Sequence, residues 1–260
     1  MRGFVKAYWK TLVFFTVIGL IGGFFTGIYL LDSYPVQIRQ QLAEELAAAG
    51  MGQLPVELVT GILTAVQSAG YGLALGAAGI FLGKKTGLWK DQRSIAKKPL
   101  VIAVCISLVC GLAMILPDML YFAPRNQAIL DSYAVKPTLT YILAAVTYGA
   151  VIEEVMLRLF FMSLVAFILH KLFGKKQEKP SAAMLVAANV IAALLFAAAH
   201  LPATVLLLGN SPMLIFRCFL LNGGIGLLLG YLYRRHGLRY AMIAHGGCHV
   251  VSKVIWILFI

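Results

Sequence analysis

The sequence predicts an all-α fold, a polytopic transmembrane helical bundle of about seven spans, and three observations carry that reading. Hydrophobic residues make up 61% of the chain and charged ones only 12%, with a mean hydropathy of +0.88. Soluble domains are roughly half apolar. Apolar runs of about 20 residues, the length that crosses a hydrocarbon core, follow one another and leave no room for a separate soluble module. The basic residues behind the net charge of +12 gather in short segments between those runs, the pattern of cytoplasmic loops. That placement points to anionic lipid headgroups as partners and away from nucleic acid. Cys105, Cys110, Cys218 and Cys248 lie in apolar stretches with no C-x-x-C pair, which excludes a disulfide framework and a zinc ribbon.

Arg2, Lys6 and Lys10 precede an apolar run from Thr11 to Leu31 that is too long for a signal-peptide core. The first span is therefore read as uncleaved, with its N-terminus cytoplasmic and the protein multi-pass in the cell membrane. Gly19, Gly23 and Gly27 stripe one face of it and let another helix come close. Residues 32–57 are polar and slightly acidic, as suits the outer side, with a short amphipathic helix at 36–48. The second span, about 58–83, repeats the small-residue stripe at Gly72, Gly76, Gly79 and Gly83. Lys84, Lys85, Lys90, Arg93, Lys97 and Lys98 then mark an inner loop. The third span, about 99–117, is expected to stop at Pro117, with Asp118, Arg125, Asp131 and Lys136 in an outer loop.

Residues 1–137 are read as three N-terminal spans and 138–260 as a core of four, within one membrane domain. From Thr138 to Phe173 the apolar pattern continues for 36 residues, about 54 Å of α-helix, too long for one upright span and too short for two. A long tilted helix, or one kinked near Gly149, fits best. Lys171, Lys175, Lys176 and Lys179 mark the next inner loop. The fifth span, about 181–201, ends at His200-Leu201-Pro202, and an uncharged loop leads to a sixth at about 212–233. Arg234, Arg235 and Arg239 lie inside again, and a seventh span starts near Tyr240.

Within the 36-residue run, Glu153, Glu154 and Arg158 place three ionisable side chains near mid-depth, each costing about 2.5 to 3.5 kcal/mol on insertion scales. Glu154 and Arg158 are four apart with the acid first, the favourable order for an ion pair. Glu153 points elsewhere and is left to face a cavity as a base. Two further segments, Phe196-x-x-x-His200 and His245-x-x-x-His249, each aim polar groups along one helix face. Two chemistries remain open. With zinc, His200 and His245 would be metal ligands, Glu153 a third ligand or the base, and water the open position. Without zinc, Glu153 and His200 would take the proton while His245 and His249 bond the developing oxyanion. On straight helices His200 falls near an outer end and His245 nearer an inner one, so a shared site requires tilted or broken helices, with Gly223, Gly224, Gly246 and Gly247 as the weak points.

In these residues the chain resembles the CPBP intramembrane proteases, the abortive-infectivity or CAAX-prenyl-protease type that includes the eukaryotic Ras-converting endopeptidases. Their marks are E-E-x-x-x-R, F-x-x-x-H and H-x-x-x-N or D on successive helices. Here Glu153, Glu154, Arg158, Phe196, His200 and His245 match, over a resemblance spanning roughly 140–255, while position 249 is His where the family has Asn or Asp. The resemblance implies a peptide-bond hydrolase acting in or at the membrane on a membrane protein or peptide substrate of CAAX-like, bacteriocin or peptide-pheromone type. It implies catalytic roles for Glu153, Glu154, Arg158, His200, His245 and His249, by glutamate-activated water with or without zinc.

Two rival readings of the same residues are a non-catalytic membrane scaffold or bacteriocin immunity protein, and a small transporter with midplane charges. Arg217 and Asn222 would line a substrate path or pair with Glu153 or Glu154; Arg217 would otherwise snorkel outward. Asn189 reads as interhelical glue and Cys248 as a small packed residue. His170 and His236 read as interfacial.

Overall fold

In a solvent that offers no hydrogen bonds the backbone must bond to itself, and each apolar run of this chain does so as a helix. The computed structural model describes residues 2–91, 94–174 and 176–260. Arg93 and Lys175, counted above in the basic loops, lie outside them, as does the side chain of Arg2. The helices are α1 (Arg2–Ser33), α2 (Val36–Ala48), α3 (Val56–Thr86), α4 (Lys97–Arg125) and α5 (Gln127–Ala134), followed by α6 (139–173), α7 (Ala182–Leu208), α8 (Pro212–His236) and α9 (Leu238–Phe259). No strand forms among the described residues. The protein is an all-α polytopic bundle.

Among the described residues six helices are long and apolar enough to cross a membrane: α1, α3, α4, α7, α8 and α9. The seventh expected span, α6, is not one of them. It lies at the centre of five of them, packing against α1, α3, α7, α8 and α9. Its centre is wound in wide π turns over Ala145–Glu153 and Val155–Met162. A π turn bonds i to i+5 and takes more residues per turn than an α turn, so the 36-residue run is shorter than its α-helical length. The irregularity expected near Gly149 takes the form of a long widened stretch.

The glycine stripe on α1 meets α3 at backbone distance. A Cβ placed on Gly19, Gly23 or Gly27 would fall 2.6, 2.5 and 2.5 Å from the carbonyl oxygens of Ser68, Thr64 and Thr60. Gly22, on the adjacent face, meets Tyr148 and Thr147 of α6 just as closely. α1 therefore clasps α3 on one side and the central helix on the other. Three basic segments share one end of the bundle. Lys84 donates to Tyr8 at 2.8 Å, Lys90 donates to the Arg235 carbonyl, and Lys179 lies beside Gly87. Lys90, in the turn between α3 and α4, is drawn below the ordinary lysine pKa, chiefly by burial and then by Arg235.

Pro117 does not end the third span. The helix runs on to Arg125 through a wide turn, Asp118–Phe122, which accommodates the ring and the missing donor of proline. Asp118, expected in an outer loop, is fully buried. It accepts from Tyr133 Oη at 2.8 Å and from Arg217 at both oxygens, with Nε at 2.6 Å. Arg217 thus neither reaches Glu153 or Glu154 nor snorkels, because a carboxylate of matching fork geometry lies on α4. Breaking a buried pair from one side leaves a bare charge. Asp118→Ala or Arg217→Ala alone is expected to destabilise by about 3–5 kcal/mol, with much of the loss recovered in Asp118→Leu/Arg217→Met, read by thermal unfolding in detergent.

The loop expected after His200 is also helical. α7 breaks at His200 and restarts over Leu201–Leu208, with Pro202 in the first turn where its missing N–H does no harm. The chain turns only at Gly209, with φ +104°. Of the proposed weak points, Gly246 and Gly247 lie in an unbroken α9, where Gly247 instead admits Ser107 of α4. A wide turn does end at Gly223, over Phe219–Gly223.

Candidate active site

Adjacent positions on α6 send two acids in different directions. Glu154 is fully buried, and its Oε1 lies 3.0 Å from Arg158 Nη1 and 2.9 Å from His245 Nδ1. Arg158, 1% exposed, also donates from Nη2 to the Gly226 carbonyl at 3.3 Å and lies 4.6 Å over the ring of Phe196. One carboxylate and one guanidinium therefore tie α6 to α7, α8 and α9. Because an ionised carboxylate only accepts, His245 donates from Nδ1 and turns Nε2 the other way. That nitrogen lies 3.9 Å from Oε2 of Glu153, whose side chain is 21% exposed. The separation is longer than a hydrogen bond and close to the span of one shared water.

Phe196 joins the second histidine to the first. Its ring lies edge-on to His245, with centroids 6.0 Å apart, and edge-on to His200 at 4.7 Å. The break in α7 frees the Phe196 carbonyl region, and His200 Nδ1 bonds that carbonyl at 2.8 Å. A carbonyl accepts, so Nδ1 holds the proton and Nε2 is an acceptor in the neutral ring. His249 stacks on His245 at 4.9 Å and 27°. Its Nε2 occupies the space left by the missing side chain of Gly149, 3.1 Å from where a Cβ would stand.

Glu153, Glu154, Arg158 and His245 are thus brought together directly, His200 through Phe196 and His249 through His245. Asn222 bonds back to Cys218 of its own helix at 3.0 Å and is not part of this group, whereas Asn189 donates across to Leu227 at 3.0 Å. Cys248 is packed, with Sγ 3.4 Å from Met114 Sδ. Lys253 escaped the sequence reading. It is 4% exposed, one turn beyond His249 on the same face of α9, and the spacing 245, 249, 253 was the signal for it.

As a zinc site the donors do not fit as they stand. Zinc takes three protein ligands at about 2.0–2.2 Å, and no three His, Cys, Asp or Glu side chains converge in that way among the described residues. His245 bonds Glu154 through Nδ1 and keeps only Nε2 free for a metal, while Oε2 of Glu154 is buried without a hydrogen-bond partner among the described residues, beside the Arg158 cation.

Residues 135–251 match a family model described as type II CAAX prenyl endopeptidase Rce1-like, an interval that takes in α6, α7, α8 and α9 as far as Val251. No curated protein and no solved structure matches the chain. All six residues singled out above lie inside the matched interval. Over residues 135–251 the chain is similar to the CPBP, or CAAX-protease, family of membrane peptidases.

Proposed function

We propose that the protein hydrolyses peptide bonds of membrane-associated substrates with Glu153 as general base. The observation that carries this reading is the partly exposed Glu153 facing His245 Nε2 across 3.9 Å, beside an acid of the same helix that is wholly buried. A water bridging that gap would lose a proton to Glu153 as its oxygen attacks the peptide carbonyl carbon. The oxyanion would take a hydrogen bond from His249 Nε2, which stands beside Gly149, one turn along α6 from Glu153. Glu153 would then return the proton to the leaving nitrogen as the C–N bond breaks, giving an acid and an amine. Glu154 and Arg158 hold His245 in place, and the acceptor nitrogen of His200 helps orient the water. Basic segments gathered at one end of the bundle favour a cytoplasmic, anionic leaflet there.

Purified protein in liposomes should cleave membrane-anchored peptides, read by mass spectrometry of the products. No turnover on any anchored peptide, prenylated or not, overturns the proposal. Given the donor arrangement, chelator treatment is expected to leave turnover unchanged. A rate lost on chelation and restored by zinc would show that the donors rearrange around a metal.

A further inference from the structure

Lys253 is a cation inside a membrane helix whose contacts include no carboxylate among the described residues. Its Nζ donates to Tyr141 Oη at 3.0 Å and lies 4.1 Å from the centroid of the Tyr141 ring. Tyr141 is itself fixed by a parallel stack on Tyr29 of α1, at 4.3 Å and 9°, and by Trp256 edge-on. A ring face attracts a cation, so this cage suits the ammonium form. The remaining polar contact of Nζ is Nδ1 of His249 at 3.5 Å.

An ammonium has three donors and no acceptor. Whatever nitrogen faces it must present a lone pair, and in a neutral imidazole the proton then sits on the other nitrogen. We propose that Lys253 is a positioning residue that locks His249 in the Nε2–H tautomer and so makes it a standing hydrogen-bond donor at Gly149. His249 is then the odd one of the three histidines. Phe196 and Glu154 take the Nδ1 protons of His200 and His245, whereas Lys253 keeps Nδ1 of His249 bare. The catalytic part of this inference rests on the peptidase reading above, in which that donor meets the oxyanion; the tautomer itself does not.

Two readouts test it. In protein carrying 15N-labelled histidine, with the His249 signals assigned from His249→Asn, the wild type should show Nδ1 unprotonated and Nε2 protonated. Lys253→Met, which keeps the aliphatic stem and removes only the ammonium, should lose that preference. In turnover, Lys253→Met should lower kcat roughly tenfold or more with KM unchanged, up to the roughly 10²- to 10³-fold that outright loss of an oxyanion donor costs. In a His249→Asn background the amide presents its N–H without a partner, so Lys253→Met should add no further loss. An unchanged tautomer in Lys253→Met overturns the inference, as does an equal loss of kcat in both backgrounds, the mark of a purely structural lysine. If no peptide is cleaved at all, the peptidase reading fails while the tautomer measurement still decides the role of Lys253.

Discussion

Glu153→Gln is expected to lower kcat by roughly 10²- to 10⁴-fold, the usual contribution of a positioned general base, while the protein unfolds at the same temperature as the wild type. The amide has the shape of the carboxylate and keeps its acceptor oxygen but takes no proton from water. Stability should be spared because Glu153 is partly exposed and its nearest ionisable contact, His245 Nε2, is 3.9 Å away. His245 remains held through its other nitrogen by Glu154. Turnover within a factor of a few of the wild type would remove Glu153 from the chemistry.

The neighbouring acid should behave in the opposite way. Glu154→Ala strands a fully buried guanidinium and removes the acceptor of His245 Nδ1, and breaking such a pair from one side costs about 3–5 kcal/mol. Arg158→Met leaves the carboxylate bare at the same depth and should cost a similar amount. Glu154→Gln/Arg158→Met removes both charges while keeping an oxygen for His245, so most of the stability should return. Thermal unfolding in detergent of the wild type, Glu154→Gln, Arg158→Met and this double variant measures the coupling between the two sites. Additive losses, with no recovery in the double variant, would mean that the ion pair at 3.0 Å contributes nothing of its own.

The spans were legible because hydrocarbon imposes length and polarity directly on the chain. The closeness of α1 and α3 was legible because Gly19, Gly23 and Gly27 recur every four residues. The pairing of Glu154 with Arg158 is likewise local and could be read from spacing. What escaped depends on partners distant in sequence. Asp118 and Arg217 are 99 positions apart, and no periodicity links them. Pro117 reads as a terminator only if the turn after it is an α turn, and the wide turn there accommodates it. The difficulty of bringing His200 and His245 together dissolves because α7 breaks at His200 and Phe196 sits between the two rings. Lys253 was overlooked because a lone lysine near the end of a span passes for an interfacial residue; its burial needs Tyr141 and Tyr29, which belong to other helices.

The contact between α1 and α3 has a consequence for biosynthesis. Those two helices meet through glycines and main-chain carbonyls, so their union asks nothing of the rest of the polypeptide and is available as soon as residue 86 has left the ribosome. The central helix emerges later, and Gly22 on that early hairpin is already shaped to receive Tyr148 and Thr147. The partners of its buried charges, Gly226 and His245, lie on α8 and α9 and follow later still.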